Sequence, residues 1–161
     1  MDGMHTALAG FLHLAKLTKY PQREPAERTL EMSTVDITED QFEDTVLGEG
    51  IVLVDFWAGW CGPCQSFAPV YEAASEKHED VTFAKVDTEA EQALAGGLGI
   101  QSIPTIMAFR DGIQVFSQPG ALPADSLDGL ISQIESLDMD AVRAEIARHQ
   151  AEHVHGDSCN H

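Results

Sequence analysis

The sequence IVLVDFWAGWCGPC occupies residues 51–64 and joins an apolar segment of strand length to two cysteines. Residues 51–57 are almost continuously apolar, which is typical of a strand buried on both faces of a sheet. Pro63 suits the first turn of a helix, because no hydrogen bond is lost there through its missing N–H. The sequence therefore predicts a strand, a short turn and a helix that starts near Cys61.

A regular spacing of apolar residues predicts that helix. Phe67, Val70, Tyr71 and Ala74 recur at i, i+3, i+4 and i+7, which places them on one helical face that points to the core. The helix is expected to extend to about residue 78, with a kink at Pro69.

The two cysteines have a spacing and a position that favour redox chemistry. Free N–H groups and the helix dipole stabilise a negative charge on Cys61 at the helix start, and the thiolate is the reactive form of cysteine. Cys64 follows three positions later, so one helical turn can bring the two sulfurs together. Cys61 is then the nucleophile that forms a mixed disulfide, and Cys64 is the resolving thiol. The alternatives are a structural disulfide or a zinc site.

Five motifs in order resemble the thioredoxin family and cover about residues 33–137. They are Trp60-Cys61-Gly62-Pro63-Cys64 with the preceding Asp55-Phe56-Trp57-Ala58, then Ala68-Pro69, Phe83-Ala84-Lys85-Val86-Asp87, Gly99-Ile100-Gln101-Ser102-Ile103-Pro104-Thr105 and Phe109-Arg110-Asp111-Gly112. One C-x-x-C motif alone is a weak signal, whereas five motifs with matching spacing are specific. The resemblance implies an α/β thioredoxin fold, with a central mixed β-sheet flanked by helices on both faces, and a thiol–disulfide oxidoreductase without a bound cofactor.

The resemblance also implies roles for two charged residues. In thioredoxins the aspartate that matches Asp55 lies beneath the cysteines and helps to take the proton from the resolving thiol, and Lys85 matches a lysine near that carboxylate. Burial would raise the pKa of Asp55. The alternative is a solvated aspartate at the sheet edge. Gln65 departs from the family, which often carries Lys or Arg there, so one favourable charge near the Cys61 thiolate is missing.

Six residues match substrate-binding positions of thioredoxins. They are Trp60, Gly62, Pro63, Ile103, Pro104 and Gly120. The resemblance implies a cis bond before Pro104, which leaves the backbone of Ile103 free to pair with an extended substrate segment. For Trp60 the alternative is a half-buried packing role. The loop that contains Gly120 departs from the family in its flanking prolines.

The composition excludes several classes of partner. The net charge is −18, with 27 acidic and 9 basic residues. Such a surface repels nucleic acids and anionic membranes. No apolar run approaches the ~18 residues of a membrane span. Three cysteines do not make the disulfide framework of a secreted protein, so we expect a reducing, cytoplasmic location.

The remaining elements are predicted from caps, glycines and apolar periodicity. The expected strands are residues 34–37, 81–86, 105–109 and 113–117, the last two joined by a turn at Asp111-Gly112. One helix is expected over residues 39–47, with a capping box formed by Thr38 and Gln41, and another is expected between a capping box at Thr88 and Glu91 and the pair Gly96-Gly97. A further helix carries Leu127, Leu130, Ile131 and Ile134 on one face.

The chain divides into three parts. Residues 1–31 do not match the family, and their prolines and charges predict a poorly ordered N-terminal extension, with Met32 as an alternative start. Residues 32–137 form the thioredoxin-like domain. Residues 138–161 predict an extra helix capped by Asp138, which either packs on the domain or binds a partner, and a tail. A metal site is an alternative for that tail, which holds His149, His153, His155, Cys159 and His161, but no metal is expected.

These observations predict a monomeric protein-disulfide reductase. The resemblance implies thioredoxin reductase as the electron donor and disulfide-containing proteins as substrates, and Gly62-Pro63 resembles the reducing members of the superfamily. One alternative is a specialised thiol oxidoreductase with a single dedicated partner. Another is a binding module or co-chaperone that uses the same surface without redox chemistry. Replacing both cysteines distinguishes the binding module from the two redox enzymes, because a binding module would keep its activity.

Overall fold

The computed structural model describes residues 33–154, with side chains described as far as residue 152. The elements in chain order are β1 (Thr34–Asp36), α1 (Glu39–Val46), β2 (Ile51–Trp57), α2 (Gly62–Lys77), β3 (Val81–Asp87), α3 (Gln92–Gly97), β4 (Thr105–Arg110), β5 (Ile113–Pro119), α4 (Ala124–Glu135) and α5 (Met139–Val154). Each predicted strand and helix in this range is present, and most ends lie within one or two residues of the prediction.

The strands form one mixed sheet in the order β1-β3-β2-β4-β5. Strands β1, β3 and β2 are parallel to one another, whereas β4 runs antiparallel to β2 and β5 runs antiparallel to β4. Since β2 pairs with a neighbour on both sides and is covered on both faces, its residues are buried from Ile51 to Phe56. Its near-continuous apolar sequence follows from this position.

Alternate residues of β2 belong to two separate cores. Leu53 packs with Phe67 of α2 and Leu127 of α4 on one face of the sheet. Val54 packs with Phe42 of α1 in the core on the other face, against which Leu94 of α3 also packs. Helices therefore cover both faces, which confirms the predicted α/β architecture.

The hairpin between β4 and β5 has the predicted turn. Asp111 and Gly112 have positive φ angles of 51° and 81°, a conformation in which glycine meets no steric penalty. Asp111 also accepts a hydrogen bond from the Gly50 N–H at 2.9 Å, so the turn is tied to the start of β2.

The predicted capping box at Thr88 and Glu91 is wrong. The Thr88 hydroxyl donates instead to the carbonyl oxygen of Trp57 at 3.0 Å, and the next helix starts later, at Gln92. The side chain of Asp87 accepts from the N–H groups of Glu89 and Ala90, which turns the chain before the helix. Because α3 begins at Gln92 with Glu91 as its N-cap residue, Thr88 lies too far before the helix to cap it.

The extra C-terminal helix is present, and its first turn packs on the domain. Asp138 caps α5 by accepting from the N–H groups of Asp140 and Ala141, as predicted. Met139 is buried, whereas Ile146 is 36% exposed. The Arg143 guanidinium lies 4.0 Å from a carboxylate oxygen of the hairpin residue Asp111. The first turn of α5 is therefore packed against the domain, whereas most of the rest of the helix is exposed.

Residues 1–32 and 155–161 lie outside the described residues, and so do the predictions for the N-terminal extension and for His155, Cys159 and His161. The described part of the chain contains no group of three or more His, Cys, Asp or Glu residues that could hold a metal ion. None of the described helices is both long enough and apolar enough to cross a membrane.

Arg110 connects the end of β4 to the end of α4, and its removal should destabilise the fold. Its Nη1 donates toward the carbonyl oxygens of Ile134, Glu135 and Leu137 at 2.5, 3.1 and 2.8 Å, at and just after the C-terminal end of α4, where intrahelical donors run out. We expect Arg110→Met to lower the free energy of unfolding by about 1–3 kcal/mol in urea denaturation. Arg148→Met, at an exposed position of α5, is the control and should change it by less than about 0.5 kcal/mol. Equal effects of the two variants would contradict this role.

Candidate active site

The turn between β2 and α2 places Cys61 at the helix start. Cys61 is the N-cap residue of α2, and its N–H donates to the carbonyl oxygen of Ala58 at 3.2 Å. Its Sγ accepts a hydrogen bond from the Cys64 N–H at 3.2 Å. An N-cap side chain normally offers oxygen to such an N–H, so the sulfur occupies a position that stabilises negative charge.

Cys61 and Cys64 form a disulfide, with their Cα atoms 5.2 Å apart. This separation lies in the usual range for disulfides. The two residues are only 4% and 3% exposed and pack with Ala58, Trp57 and Ile103. The pair is therefore disulfide-capable and largely covered by its neighbours.

Three of the predicted substrate-binding residues surround the cysteines on the outer surface. Gly62 and Pro63 are exposed, and Trp60 is 69% exposed. The Trp60 indole N–H donates to the Glu89 carboxylate at 2.7 Å, which holds the ring in place. Glu89 was not among the predicted site residues, because it lies 29 positions from Trp60 and reaches it only through the pairing of β2 with β3.

The other three predicted substrate-binding residues lie just before β4 and just after β5, at the end of the sheet where β2 leads to the cysteines. The Ile103–Pro104 bond is cis, as the resemblance implied. The carbonyl oxygen of Ile103 lies 3.6 Å from the Sγ of Cys61. Gly120 has a φ of 101° and donates its N–H to the Pro104 carbonyl oxygen at 2.7 Å. The structure thus places Ile103 at the disulfide, and Gly120 is connected to the site through Pro104.

A small cavity of about 120 Å³ lies beneath the cysteines. It is lined by Asp55, Trp57, Gly59, Cys64, Gln65, Ala68 and Lys85. Asp55 and Lys85 are direct neighbours on the parallel strands β2 and β3, and the Lys85 Nζ lies 4.8 Å from the centroid of the Trp57 ring. An oxygen of Asp55 and the indole nitrogen of Trp57 are buried without a hydrogen-bond partner among the described residues.

Asp55 is 1% exposed, so it is not the solvated aspartate of the alternative interpretation. Burial raises the pKa of its carboxyl group to about 7, and the positive charge of Lys85 opposes this shift. Burial raises the pKa of the Tyr71 hydroxyl group, and the negative charge of the nearby Asp55 raises it further. That hydroxyl group contacts the carbonyl oxygens of Leu53 and Ala84 at 3.0 and 2.8 Å. A carboxyl group that titrates near neutral pH is able to exchange a proton with a thiol.

Known proteins with the same arrangement identify the family. The thioredoxin family model matches residues 33–133. A Streptomyces coelicolor protein assigned as thioredoxin 2 is 52% identical over 120 residues, which cover 74% of this chain and 90% of that protein. The thioredoxin of Bacillus subtilis is 38% identical over 63% of this chain and 98% of its own length. Among solved structures, a mutant thioredoxin from Halobacterium salinarum NRC-1 has a TM-score of 0.60 and 36% identity over 65% of this chain and 92% of its own.

The fold and the paired cysteines define a thiol–disulfide oxidoreductase. The match over residues 33–133 and the identity to full-length relatives show that the chain belongs to the thioredoxin family. The fold and the class of activity expected from the sequence motifs are therefore confirmed.

The buried carboxyl group of Asp55 should make stability depend on pH. Its folded pKa of about 7 lies above the ~3.9 of an unfolded aspartate, so the fold favours the neutral form. This group's contribution is full below pH 4, and it is lost as pH rises toward and through 7. We expect Asp55→Asn, which stays neutral, to raise the free energy of unfolding at pH 8 by about 1–3 kcal/mol, with a gain that shrinks toward pH 4.5.

Chemical denaturation of the oxidised protein at a series of pH values measures this effect. Asp36→Asn, at an exposed position on β1, is the matched control and should show no such pH-dependent gain. An Asp55→Asn protein that is less stable than the wild type at every pH would show that the carboxylate is a structural requirement.

Proposed function

We propose that this protein reduces disulfide bonds in other proteins through the Cys61–Cys64 couple. The observation that carries the proposal is the placement of a disulfide-capable pair at the N-terminus of α2, directly above a buried carboxyl group. The electrons come from a thioredoxin reductase, and the protein acts as a cytoplasmic monomer. The membership in the thioredoxin family supports this choice of donor.

The first step is an attack by the Cys61 thiolate on a substrate disulfide. A bond forms between the Cys61 sulfur and one substrate sulfur, the substrate S–S bond breaks, and the other substrate sulfur leaves as a thiolate that takes up a proton. The Cys64 N–H, 3.2 Å from the Sγ of Cys61, supports the thiolate before the attack. The product of this step is a mixed disulfide on Cys61.

The second step releases the substrate. Cys64 gives its proton to Asp55 across the cavity that both residues line, and its thiolate attacks the Cys61 sulfur. A bond forms between the Cys64 and Cys61 sulfurs, the bond between Cys61 and the substrate breaks, and the substrate sulfur leaves as a thiolate that takes up a proton, which gives a reduced substrate and an oxidised enzyme. The pKa of Asp55, raised by burial to about 7, suits proton acceptance near neutral pH, and Lys85 stabilises the charged carboxylate. Two electrons from the reductase restore the dithiol.

The substrate chain is held by the outer surface of the site. The exposed Trp60 ring, with Gly62 and Pro63, contacts one side of the substrate disulfide. The backbone of Ile103 pairs with an extended segment of the substrate, supported by Pro104 in the same loop and by Gly120 after β5, whose N–H donates to the Pro104 carbonyl oxygen. The proximity of the Ile103 carbonyl oxygen to the Cys61 sulfur, 3.6 Å, supports this mode of binding.

Cysteine variants test the order of the two steps. Cys61→Ser should abolish disulfide reduction, with a loss of at least about 10³-fold, because the attacking thiolate is gone. Cys64→Ser should keep the first attack and accumulate a stable mixed disulfide with the substrate, because no resolving thiol remains. A disulfide-reduction assay driven by thioredoxin reductase and NADPH, with mass spectrometry of trapped adducts, measures both.

Ser66→Ala is a suitable control, because this exposed residue of α2 lies two positions after Cys64 and should keep normal turnover. If Cys61→Ser captured the substrate and Cys64→Ser did not, the two roles would be reversed. If a variant without both cysteines kept its cellular activity, the reductase function would be contradicted and the protein would be a binding module.

We propose further that residues 32–137 carry the redox function, with residues 1–31 as a dispensable extension. The family model starts at residue 33, and the prolines and charges of the extension are typical of a linker. Deleting residues 1–31 should change the reduction rate by less than about twofold and the free energy of unfolding by less than about 0.5 kcal/mol. A larger loss of stability in thermal or urea denaturation would assign a structural role to the extension.

A further inference from the structure

We propose that Gln65 is a positioning residue that narrows the mouth of the cavity beneath the cysteines and so limits the exchange of water and protons with Asp55. The inference rests on the proposed reductase function, in which Asp55 accepts the proton of Cys64. It concerns a residue at which this chain departs from the pattern common in thioredoxins. The uncharged Gln65 side chain thereby influences the rate at which Cys64 transfers its proton to Asp55 in the second step.

The first observation is a hydrogen bond that spans the active-site turn. The side-chain Nε2 of Gln65 donates to the carbonyl oxygen of Gly59 at 2.7 Å. Gly59 lies before Cys61 and Gln65 lies after Cys64, so the bond connects the two ends of the segment that carries both cysteines. In addition, the Gln65 N–H donates to the Cys61 carbonyl oxygen at 3.1 Å, as the helix requires. The side chain therefore has a defined position at the helix start.

The second observation is that this bond lies in the wall of the cavity. Both partners of the bond, Gly59 and Gln65, line the cavity, and they are its exposed lining residues. Asp55 and Cys64 are buried, and the remaining lining residues are half-buried. The cavity is partly open to solvent, and the Gln65–Gly59 bond lies at its exposed edge, where it narrows the approach to the carboxyl group.

The interior of the cavity is suited to water. Its volume of about 120 Å³ exceeds the ~10–15 Å³ that one water molecule requires, and the Asp55 oxygen and the Trp57 indole nitrogen that line it have no partner among the described residues. Water that enters would stabilise the charged form of Asp55, whereas a narrower mouth, with less water exchange, favours the neutral form. The state of the wall therefore affects how readily Asp55 holds a proton.

The charged and titratable groups that face Asp55 lie on β3 and α2. Lys85 faces the carboxyl group from β3, and Cys64 and Tyr71 face it from α2. The position paired with Asp55 on β4 is Ile106, which carries no charge. Gln65 adds no charge of its own, so its removal changes hydration without adding or removing a charge at the site.

The test uses Gln65→Ala in the full chain, with Ser66→Ala as the matched control at the next helix position. The pKa of the Asp55 carboxyl group is measured directly by NMR titration of its carbon signal, which requires no enzymatic turnover. Gln65→Ala should lower this pKa by about one unit, because opening the wall hydrates the carboxylate. Ser66→Ala should leave it unchanged.

A kinetic experiment in two backgrounds excludes a purely structural effect. The rate at which Cys64 resolves a mixed disulfide is followed by single-turnover kinetics from pH 5 to 9. In the wild-type background, Gln65→Ala should shift the midpoint of this profile to lower pH by about the same amount as the pKa. In the Asp55→Asn background, the same substitution should leave the profile unchanged.

Two results would overturn the proposal. One is an unchanged pKa of Asp55 in a folded Gln65→Ala protein, and the other is an equal kinetic effect in both backgrounds, which would mean that Gln65 only shapes the turn. Neither result depends on whether the wild type reduces protein disulfides efficiently. Failure of the proposed function would instead appear as a wild-type protein without reductase activity, while the titration of Asp55 would still respond to Gln65.

Discussion

The burial of β2 at the centre of the sheet is the constraint on which the rest of the structure depends. A strand that pairs on both sides and is covered on both faces must be apolar almost throughout, and residues 51–57 meet this requirement except at Asp55. Because the strand ends at Trp57 and the chain turns directly into α2, the same strand delivers Cys61 to the start of that helix. The core and the active site are thus consequences of one element.

Asp55 shows how this element combines stability with function. A carboxyl group in a buried strand destabilises the charged state, and the neighbouring strand compensates only in part through Lys85. The same burial brings the pKa of Asp55 near neutral pH, where a proton acceptor beneath a thiol is useful. A stability cost at a position that holds a reactive group is typical of functional sites.

The bonds around the site come from elements that are distant in sequence. Glu89 after β3 holds Trp60, and the loop of Ile103 approaches the Cys61 sulfur. Within the active-site turn itself, Gln65 connects the helix start to Gly59, six positions earlier. At the opposite end of the sheet, Arg110 joins the end of α4 to β4, and α5 packs its first turn next to the hairpin. Two of these contacts, Trp60–Glu89 and Cys61–Ile103, join the segment that carries the cysteines to loops that strand pairing brings next to it.

The sequence by itself determined the order of elements, the buried central strand, the helix start at Cys61, the hairpin turn at Asp111-Gly112 and the cap at Asp138, because these depend on local periodicity, turn chemistry and capping. It also placed the site residues through motifs. Only the tertiary structure decided that Asp55 is buried and that Glu89 binds the Trp60 indole. It also decided that the Gln65 side chain donates to the Gly59 carbonyl oxygen and that the Thr88 hydroxyl bonds to Trp57 rather than capping α3. The physical reason is that a polar side chain pairs with the nearest available partner in space, and strand pairing determines which distant residue that is.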